Sequence, residues 1–544
     1  MPYKRIKLSG ISNLLPLPYS TKRRNLLIFD MYIRFKMLRG FFRGFKGSVA
    51  PVFVFTLLLF VHVISVSGQA GRYWDQNLNS EAALLSGAVV AGESSIAAIY
   101  YNPATITEMK RNSLSLSANL FTVYLYNAKN ALGDDFPADR TQLDIYPRIV
   151  TIVLNPKKKP DLTIELAYFT KANDYMKIDR GNSYLGDIIA SNPGDEYYTA
   201  DYYLRSNFQD YYGGAGFGYK LSESLALGFS GLISYKDDQY YNLITANAFT
   251  LTDPDMPDAS QYLSRSSYHL KYTMYDVRFI GKFGLHYKKE QWTFGTNITL
   301  PSVKIFGDGR AIKEYEYSNI HKVAGSSDAY NSYSGGRNEE CIAHFKDPLS
   351  IAAGVNWYSP SGKSIILFTG EFFFGLPAYD YIEAGNDPGE EGYNFNQQSP
   401  EDWLTFTVNQ NPVFNAGIAF KKHVSDELMI SGGFRTDFTY MDYGKQPDFL
   451  NNNEKTNYTF NVFHLNSGVG YKFKRGSITA GMQFSYGQEN NQKQLVNLTN
   501  PVEFTSDEQM PLTGPLNYNV DIRFYDISVY LGFMFNFMKE EQRP

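Results

Sequence analysis

The run YDISVYLGFMFNF, Tyr525–Phe537, decides how this chain is read. Its odd positions, Tyr525, Ile527, Val529, Leu531, Phe533, Phe535 and Phe537, are all apolar or aromatic, whereas Asp526, Ser528, Tyr530, Gly532, Met534 and Asn536 between them are polar, small or mixed. A period of two is the period of a strand, and a face this apolar calls for a non-aqueous neighbour. The split recurs in SITAGMQFSYG, where Ile478, Ala480, Met482, Phe484 and Tyr486 oppose Ser477, Thr479, Gly481, Gln483 and Ser485. Leu349, Ile351, Ala353, Val355 and Trp357 oppose Ser350, Ala352, Gly354 and Asn356 in the same way. A soluble sandwich also alternates, so the spacing of turns has to arbitrate.

Working outward, about fourteen such segments fit between residues 113 and 538, including 290–306, 340–358, 362–378 and 408–422. Six connections are tight, among them NPKKKPD after Leu154, SPSG at Ser359–Gly362 and Arg475-Gly476. They alternate with longer polar loops such as Gly307–Glu339 and Ala378–Phe406. Tight turns on one side and long loops on the other are the habit of single-chain membrane barrels. A closed sheet also satisfies every backbone hydrogen bond in lipid. The expected fold is therefore all-β: a transmembrane antiparallel β-barrel spanning 113–538, with a short tail at 539–544. An even strand number leaves both mature termini on the short-turn, periplasmic side. Tyr and Phe, 43 and 40 residues, supply the aromatic girdles expected at the interfaces, with Tyr211, Tyr212, Tyr240, Tyr241, Trp292, Trp357 and Tyr358 as candidates.

Residues 1–70 read as leader. VAPVFVFTLLLFVHVISV, Val49–Val66, follows a segment with Arg34, Lys36, Arg39, Arg43 and Lys46, and ends in small residues at Ser65, Ser67, Gly68 and Ala70. That is the order of a secretory signal peptide, cleaved between Gln69 and Gly71, with translation starting at Met31 or Met37. A retained anchor helix is the plainer alternative. Cys341 is the single cysteine, so an exported chain would have no internal disulfide. A net charge of −4 with no basic block after the leader excludes an electrostatic footprint for nucleic acid.

Residues 71–112 alternate like neither strand nor disordered chain. NSEAALLSGAVVAGESSIAAIYYNPATITEM is rich in small and aliphatic residues, so it should pack against something, and the lumen is the available place. Pro103 fixes its own φ and biases Asn102 towards extended backbone, so the chain turns here. The Asn102 side chain suits the turn, and Ala104 permits close approach to a wall. An ordinary turn into the first strand explains Asn102, Pro103 and Ala104 as well as a transport role does.

SGAVVAGESSIAAIYYNPATIT, Ser86–Thr107, resembles the N-terminal hatch of the long-chain fatty acid outer-membrane transporters of FadL/TodX type, in which a small-residue run leads into Asn-Pro-Ala before the first strand. The resemblance implies a fourteen-stranded barrel plugged at its N-terminus, working in the outer membrane among lipid and lipopolysaccharide. It also implies capture of a hydrophobic ligand, a long-chain fatty acid or aromatic hydrocarbon, in the lumen. Hatch rearrangement and lateral release through the wall would follow, with no cofactor. A monomer suffices for a single plugged lumen.

Pro147, in DIYPRIVTIVL, falls inside the second expected strand, where it implies a bulge or gap and a candidate lateral gate beside a harmless rim bulge. Arg278, Arg435 and Arg523 lie within strands; facing the lumen, one could meet a ligand carboxylate, although pairing with Asp276, Asp437 or Asp521 is the commoner fate of such arginines. The acidic stretches Leu251–Asp258 and Asn386–Glu391 lack EF-hand spacing, and no metal site is expected. None of the six histidines after the leader stands in a nucleophile motif, so no enzyme is expected. A diffusion pore for polar solutes and a surface adhesin are the rival readings.

Overall fold

A computed structural model describes residues 71–93, 96–109, 112–192, 194–250, 262–385, 403–441, 458–506 and 509–536. The leader, both acidic stretches, Phe537 and the C-terminal tail named above lie outside the described residues.

The strands are β1 (Ser113–Lys129), β2 (Ala138–Leu154), β3 (Leu162–Gly186), β4 (Glu196–Lys220), β5 (Leu225–Thr250), β6 (Leu263–Lys289), β7 (Trp292–Thr299), β8 (Val303–His321) and β9 (Ala329–Ala343). They continue as β10 (Ser350–Tyr358), β11 (Ser364–Phe373), β12 (Leu376–Glu383), β13 (Phe406–Gln410), β14 (Val413–His423), β15 (Leu428–Asp437), β16 (Val462–Phe473), β17 (Gly476–Lys493) and β18 (Tyr518–Asn536). Fourteen of them close a ring: β1 to β7, then β10, β11 and β14 to β18, with β18 returning antiparallel to β1. The ring is a transmembrane β-barrel. Leu166, Phe217, Phe229, Phe283, Phe294, Phe368, Ile418, Leu465 and Phe533 are all exposed on its outer face, one per strand, an apolar belt that needs lipid. The alternation of Tyr525–Asn536 falls as expected, odd residues outward and even residues inward.

The remaining four strands form an outer storey. The inner part of β6, Lys282–Lys289, pairs with β7, and its outer part, Arg265–Phe279, pairs with β8. Between β7 and β8 lies Leu300-Pro301-Ser302; Pro348 separates β9 from β10, and Pro412 separates β13 from β14. Proline cannot donate to a ladder, so the breaks stand where the sheet changes partner. The stretch Gly307–Glu339, expected as a loop, is instead the β8–β9 hairpin, and Ala378–Phe406 contains part of β12. Here Glu314, Glu316, Arg337 and Glu339 replace the apolar face, because the sheet stands beyond lipid and has no need of one. Tyr212 and Tyr240, expected in the girdles, are buried inward, whereas Tyr211 and Tyr235 face out.

Inside the ring runs the N-terminal segment. Helix α1 (Ser80–Leu84), N-capped by Asn79, lies against β15 to β18; a 3-10 helix, Pro103–Glu108, lies against β3 to β6. Between them is α2 (Ala98–Tyr101). The segment thus reaches opposite walls of one lumen. It does so at glycines: an added Cβ on Gly228 would sit 2.2 Å from Ala104 N and from Pro103 C, on Gly284 2.1 Å from Asn102 Oδ1, and on Gly295 2.0 Å from Val90 O. Gly218, Gly228 and Gly284 are direct cross-strand neighbours, as are Gly295 and Gly354, so the wall offers the segment a bare track one Cβ deep.

Candidate functional site

The Asn102-Pro103-Ala104 turn is built from both sides. Asn102 is extended, with φ −163° and ψ 104°, and caps the 3-10 helix by accepting from Ala104 N at 3.1 Å. Its amide nitrogen donates to Val90 O at 2.7 Å and to Leu285 O of β6 at 3.0 Å. One buried side chain therefore ties the turn to its own segment and to the wall. Nearby, Glu93 holds an unusual positive φ of 77°. It accepts from Tyr358 OH of β10 at 2.7 Å and from Lys421 Nζ of β14 at 2.9 Å. Burial pushes the Glu93 carboxyl up, but the Lys421 ammonium and the Tyr358 hydroxyl outweigh it and hold the group below its ordinary value.

Above the turn lies a cavity of about 80 Å³ around the Tyr100 ring. Lys282 Nζ stands 4.0 Å from the ring centroid and Lys171 Nζ 5.6 Å, while Phe169 and Tyr212 meet its edge. Lys282 donates to Thr299 Oγ1 at 2.8 Å and Lys171 to Tyr73 O at 2.7 Å. Neither forms an ion pair among the described residues. The other cations of the cavity do: Lys236 with Asp210 at 3.1 Å and Asp347 at 2.8 Å, and Arg72 with Asp75 and Asp437, both at 3.0 Å. Glu371 is taken up by Trp74 Nε1 at 2.8 Å and Ser350 Oγ at 2.7 Å. Lys282 is buried and Lys171 half-buried, and they share the cavity with Glu371 and Asp174, so counter-charge reaches them across the cavity and not through a direct ion pair. Outward of this cavity Phe208 and Phe345, with ring centroids 5.6 Å apart, divide it from an apolar one of about 70 Å³ lined by Tyr272, Tyr379, Tyr381 and Phe406.

The same cavity adjoins a gap in the wall. The β2–β3 ladder runs only from Leu154↔Ile164 to Ile149↔Phe169. It stops beside Pro147, where the β1–β2 register also shifts, and the β3–β4 register slips between Thr170 and Ala172. Beyond that point side chains replace the ladder: Arg140 donates to Lys177 O at 3.2 Å, and Arg180 pairs with Asp139. Lys171, Ala172 and Asp174, on the β3 side of the gap, line the cavity.

The three strand arginines are placed differently. Arg278 is buried against Asp276 at 3.2 Å and donates to Ser302 Oγ at 2.8 Å, securing the break between β7 and β8. Arg435 is buried and donates to the carbonyls of Trp74 and Asp75, the latter at 3.2 Å, so it anchors the N-terminal segment. Arg523 is exposed on the outer face near the long-loop end of β18. Lys171 and Lys282 were not singled out by sequence; alternation marks both as strand residues, but nothing local distinguishes an inward lysine with a partner from one without. Ser191, His321 and Glu503 also come together, yet Ser191 Oγ at 2.9 Å and Glu503 Oε1 at 2.7 Å both meet Nδ1, which leaves no relay through the ring.

No family model matches the sequence, and no curated protein matches it. Among solved structures, a Pseudomonas aeruginosa FadL homologue aligns with a TM-score of 0.52 at 10% identity, over 86% of this chain and 100% of that one. The P. putida toluene transporter TodX aligns with a TM-score of 0.47 at 12% identity, over 85% of this chain and 99% of that one. The first likeness is one of fold: this chain has the barrel architecture of the FadL homologue.

Proposed function

We propose that the chain belongs to the FadL-type transporters and takes up long-chain fatty acids or other hydrophobic compounds across an outer membrane. The observation that carries this reading is the pair Lys171, half-buried, and Lys282, buried, neither in a direct ion pair among the described residues and both arranged around an aromatic ring beside a gap in the wall. An amphiphile with one anionic head answers all three features: the head joins the lysines, the chain takes the aromatic cavity outward of Phe208 and Phe345, and the gap at Pro147 is the way out sideways. The cavities as they stand are far below the roughly 300 Å³ or more that a small-molecule site occupies. Loading therefore requires residues 71–112, acting as a hatch, and the Phe208–Phe345 partition to move. The hatch turn Asn102-Pro103-Ala104 is seated directly on the glycine track of the wall. In this reading the short turns, both mature termini and the Glu93–Lys421 contact face the periplasm, and the protein works as a monomer without a cofactor or catalysis. A pore for polar solutes gains no support from a lumen crossed by a buried segment.

The test is uptake of labelled oleate, with a labelled sugar as control, by cells lacking their own transporter. Oleate uptake without sugar passage is expected, and replacing both Lys171 and Lys282 by Met abolishes the advantage of oleate over its methyl ester. Sugar passage through the intact protein, with no gain in oleate uptake, overturns the proposal.

A further inference from the structure

On the outer face of β3 to β6, beyond the apolar belt, Lys177, Arg205, Tyr241 and Lys271 are consecutive direct cross-strand partners. The row stands six residues outward of Tyr211 and Tyr235, which are themselves cross-strand partners. Tyr275, stacked on Tyr235, stands two residues further outward, so at about 3.3 Å per residue on strands tilted near 40° the row lies roughly 10 Å beyond it. Lys177 and Arg205 are like charges directly opposed, an arrangement that costs stability unless an anion lies between or above them. Asp179 neutralises Lys177 at 2.9 Å. Arg205 and Lys271 form no ion pair among the described residues, and both are exposed. Tyrosines frame the cations: Lys177 Nζ stands 5.2 Å over Tyr203, and Arg205 Cζ 5.7 Å over Tyr175. Tyr203, Arg205, Tyr241 and Lys271 together line an open groove of about 470 Å³.

We infer that this groove is a docking site for the phosphorylated sugar headgroup of an outer-leaflet glycolipid. Arg205 and Lys271 flank Tyr241 and take the phosphate, by fork and by point charge respectively. Tyr203 and Tyr241 offer rings to the apolar faces of the sugars. The height suits the occupant, because a glycolipid whose acyl chains lie against the belt carries its sugars and phosphates upward past the aromatic row. A diffusing anion has no reason to choose that level. The inference rests on the outer-membrane placement proposed above, not on the transported ligand.

The experiment incubates the purified barrel in detergent with a bis-phosphorylated lipid A and counts retained glycolipid by native mass spectrometry. Parallel arms use the same glycolipid with its phosphates removed and phosphatidylglycerol. Retention of the phosphorylated form at least tenfold above either arm is expected. Replacing Arg205 and Lys271 together by Gln should remove that margin, with oleate uptake unchanged, and Arg205→Lys should restore only part of it. Equal retention of the dephosphorylated form or of phosphatidylglycerol by the unaltered protein overturns the inference, whatever the folding of the variants. So does undiminished retention by the folded double variant. Loss of oleate uptake in the unaltered protein refutes the transport reading alone.

Discussion

Replacing Gly228 with alanine puts a methyl group where the wall has none. The new Cβ would lie 2.2 Å from Ala104 N and from Pro103 C, and 2.5 Å from Pro103 O. All three are backbone atoms, so no side-chain rotation relieves the clash. Reaching an ordinary contact requires the turn to withdraw by about 1 Å. Withdrawal stretches the 3.0 Å bond from Asn102 Nδ2 to Leu285 O beyond hydrogen-bonding range. Overpacking costs about 1–3 kcal/mol. Losing this bond adds about 0.5–1.5 kcal/mol, since the Leu285 carbonyl stays within its strand ladder. Together these lower the seated population relative to the unseated one by roughly 10-fold or more, since about 1.4 kcal/mol is a factor of ten. The barrel itself stays intact, because the clash is with the segment and not with β4 or β6. The assay is efflux of a labelled sugar from proteoliposomes, beside limited proteolysis of residues 96–109. Gly213→Ala is the control, its Cβ meeting nothing closer than Tyr168 Cδ2 at 3.8 Å. A Gly228→Ala barrel that folds, holds its sugar and resists protease as the parent does would refute the reasoning that the glycine track seats the segment.

Removing one ammonium from the cavity, by Lys282→Met, should raise the oleate concentration for half-maximal uptake about 10- to 100-fold, the worth of a charge-assisted bond, while leaving oleate methyl ester unaffected. Burial, with the neighbouring Glu93 charge, raises the Glu108 carboxyl to about 7, and His286 Nε2 lies 3.6 Å away. A proton therefore favours the seated form. That advantage is full at and below the ordinary carboxylate range, falls as pH rises to about 7 and changes no further above it. Protection of the amides of residues 96–109, measured against their intrinsic exchange rate at each pH, should accordingly be greater at pH 6 than at pH 8.5, and Glu108→Gln should flatten the difference. The effect is modest because 38% of the Glu108 side chain meets solvent, which screens it. Pro147→Val restores a donor beside the unpaired part of β2; in the lateral-release reading oleate transfer slows, and a variant with the parental rate removes Pro147 from the gate.

The barrel was legible because lipid imposes a period: wherever a strand meets the belt, as at Tyr525–Asn536, one face must be apolar. The same logic hid the β8–β9 hairpin, since sheet beyond lipid has no apolar face to display. The turn at Asn102 was readable from proline geometry, but not its bond to Leu285, 183 residues away. Arg435 shows the limit most clearly. Its position in a strand was plain, whereas its partners, the carbonyls of Trp74 and Asp75, lie 361 and 360 residues upstream and carry no side-chain signal. The glycine track was visible only as an abundance of glycine, because its meaning is a contact and not a composition.

The breaks at Pro301, Pro348 and Pro412 divide the wall into a ring that closes by itself and a crown of hairpins that does not take part in closure. Strand number, lumen width and lipid fit are properties of the ring alone. Descendants of this chain can therefore lengthen, shorten or exchange β8–β9 and β12–β13 without renumbering the barrel, so that what the crown meets beyond the lipid evolves independently of what holds the protein in the membrane.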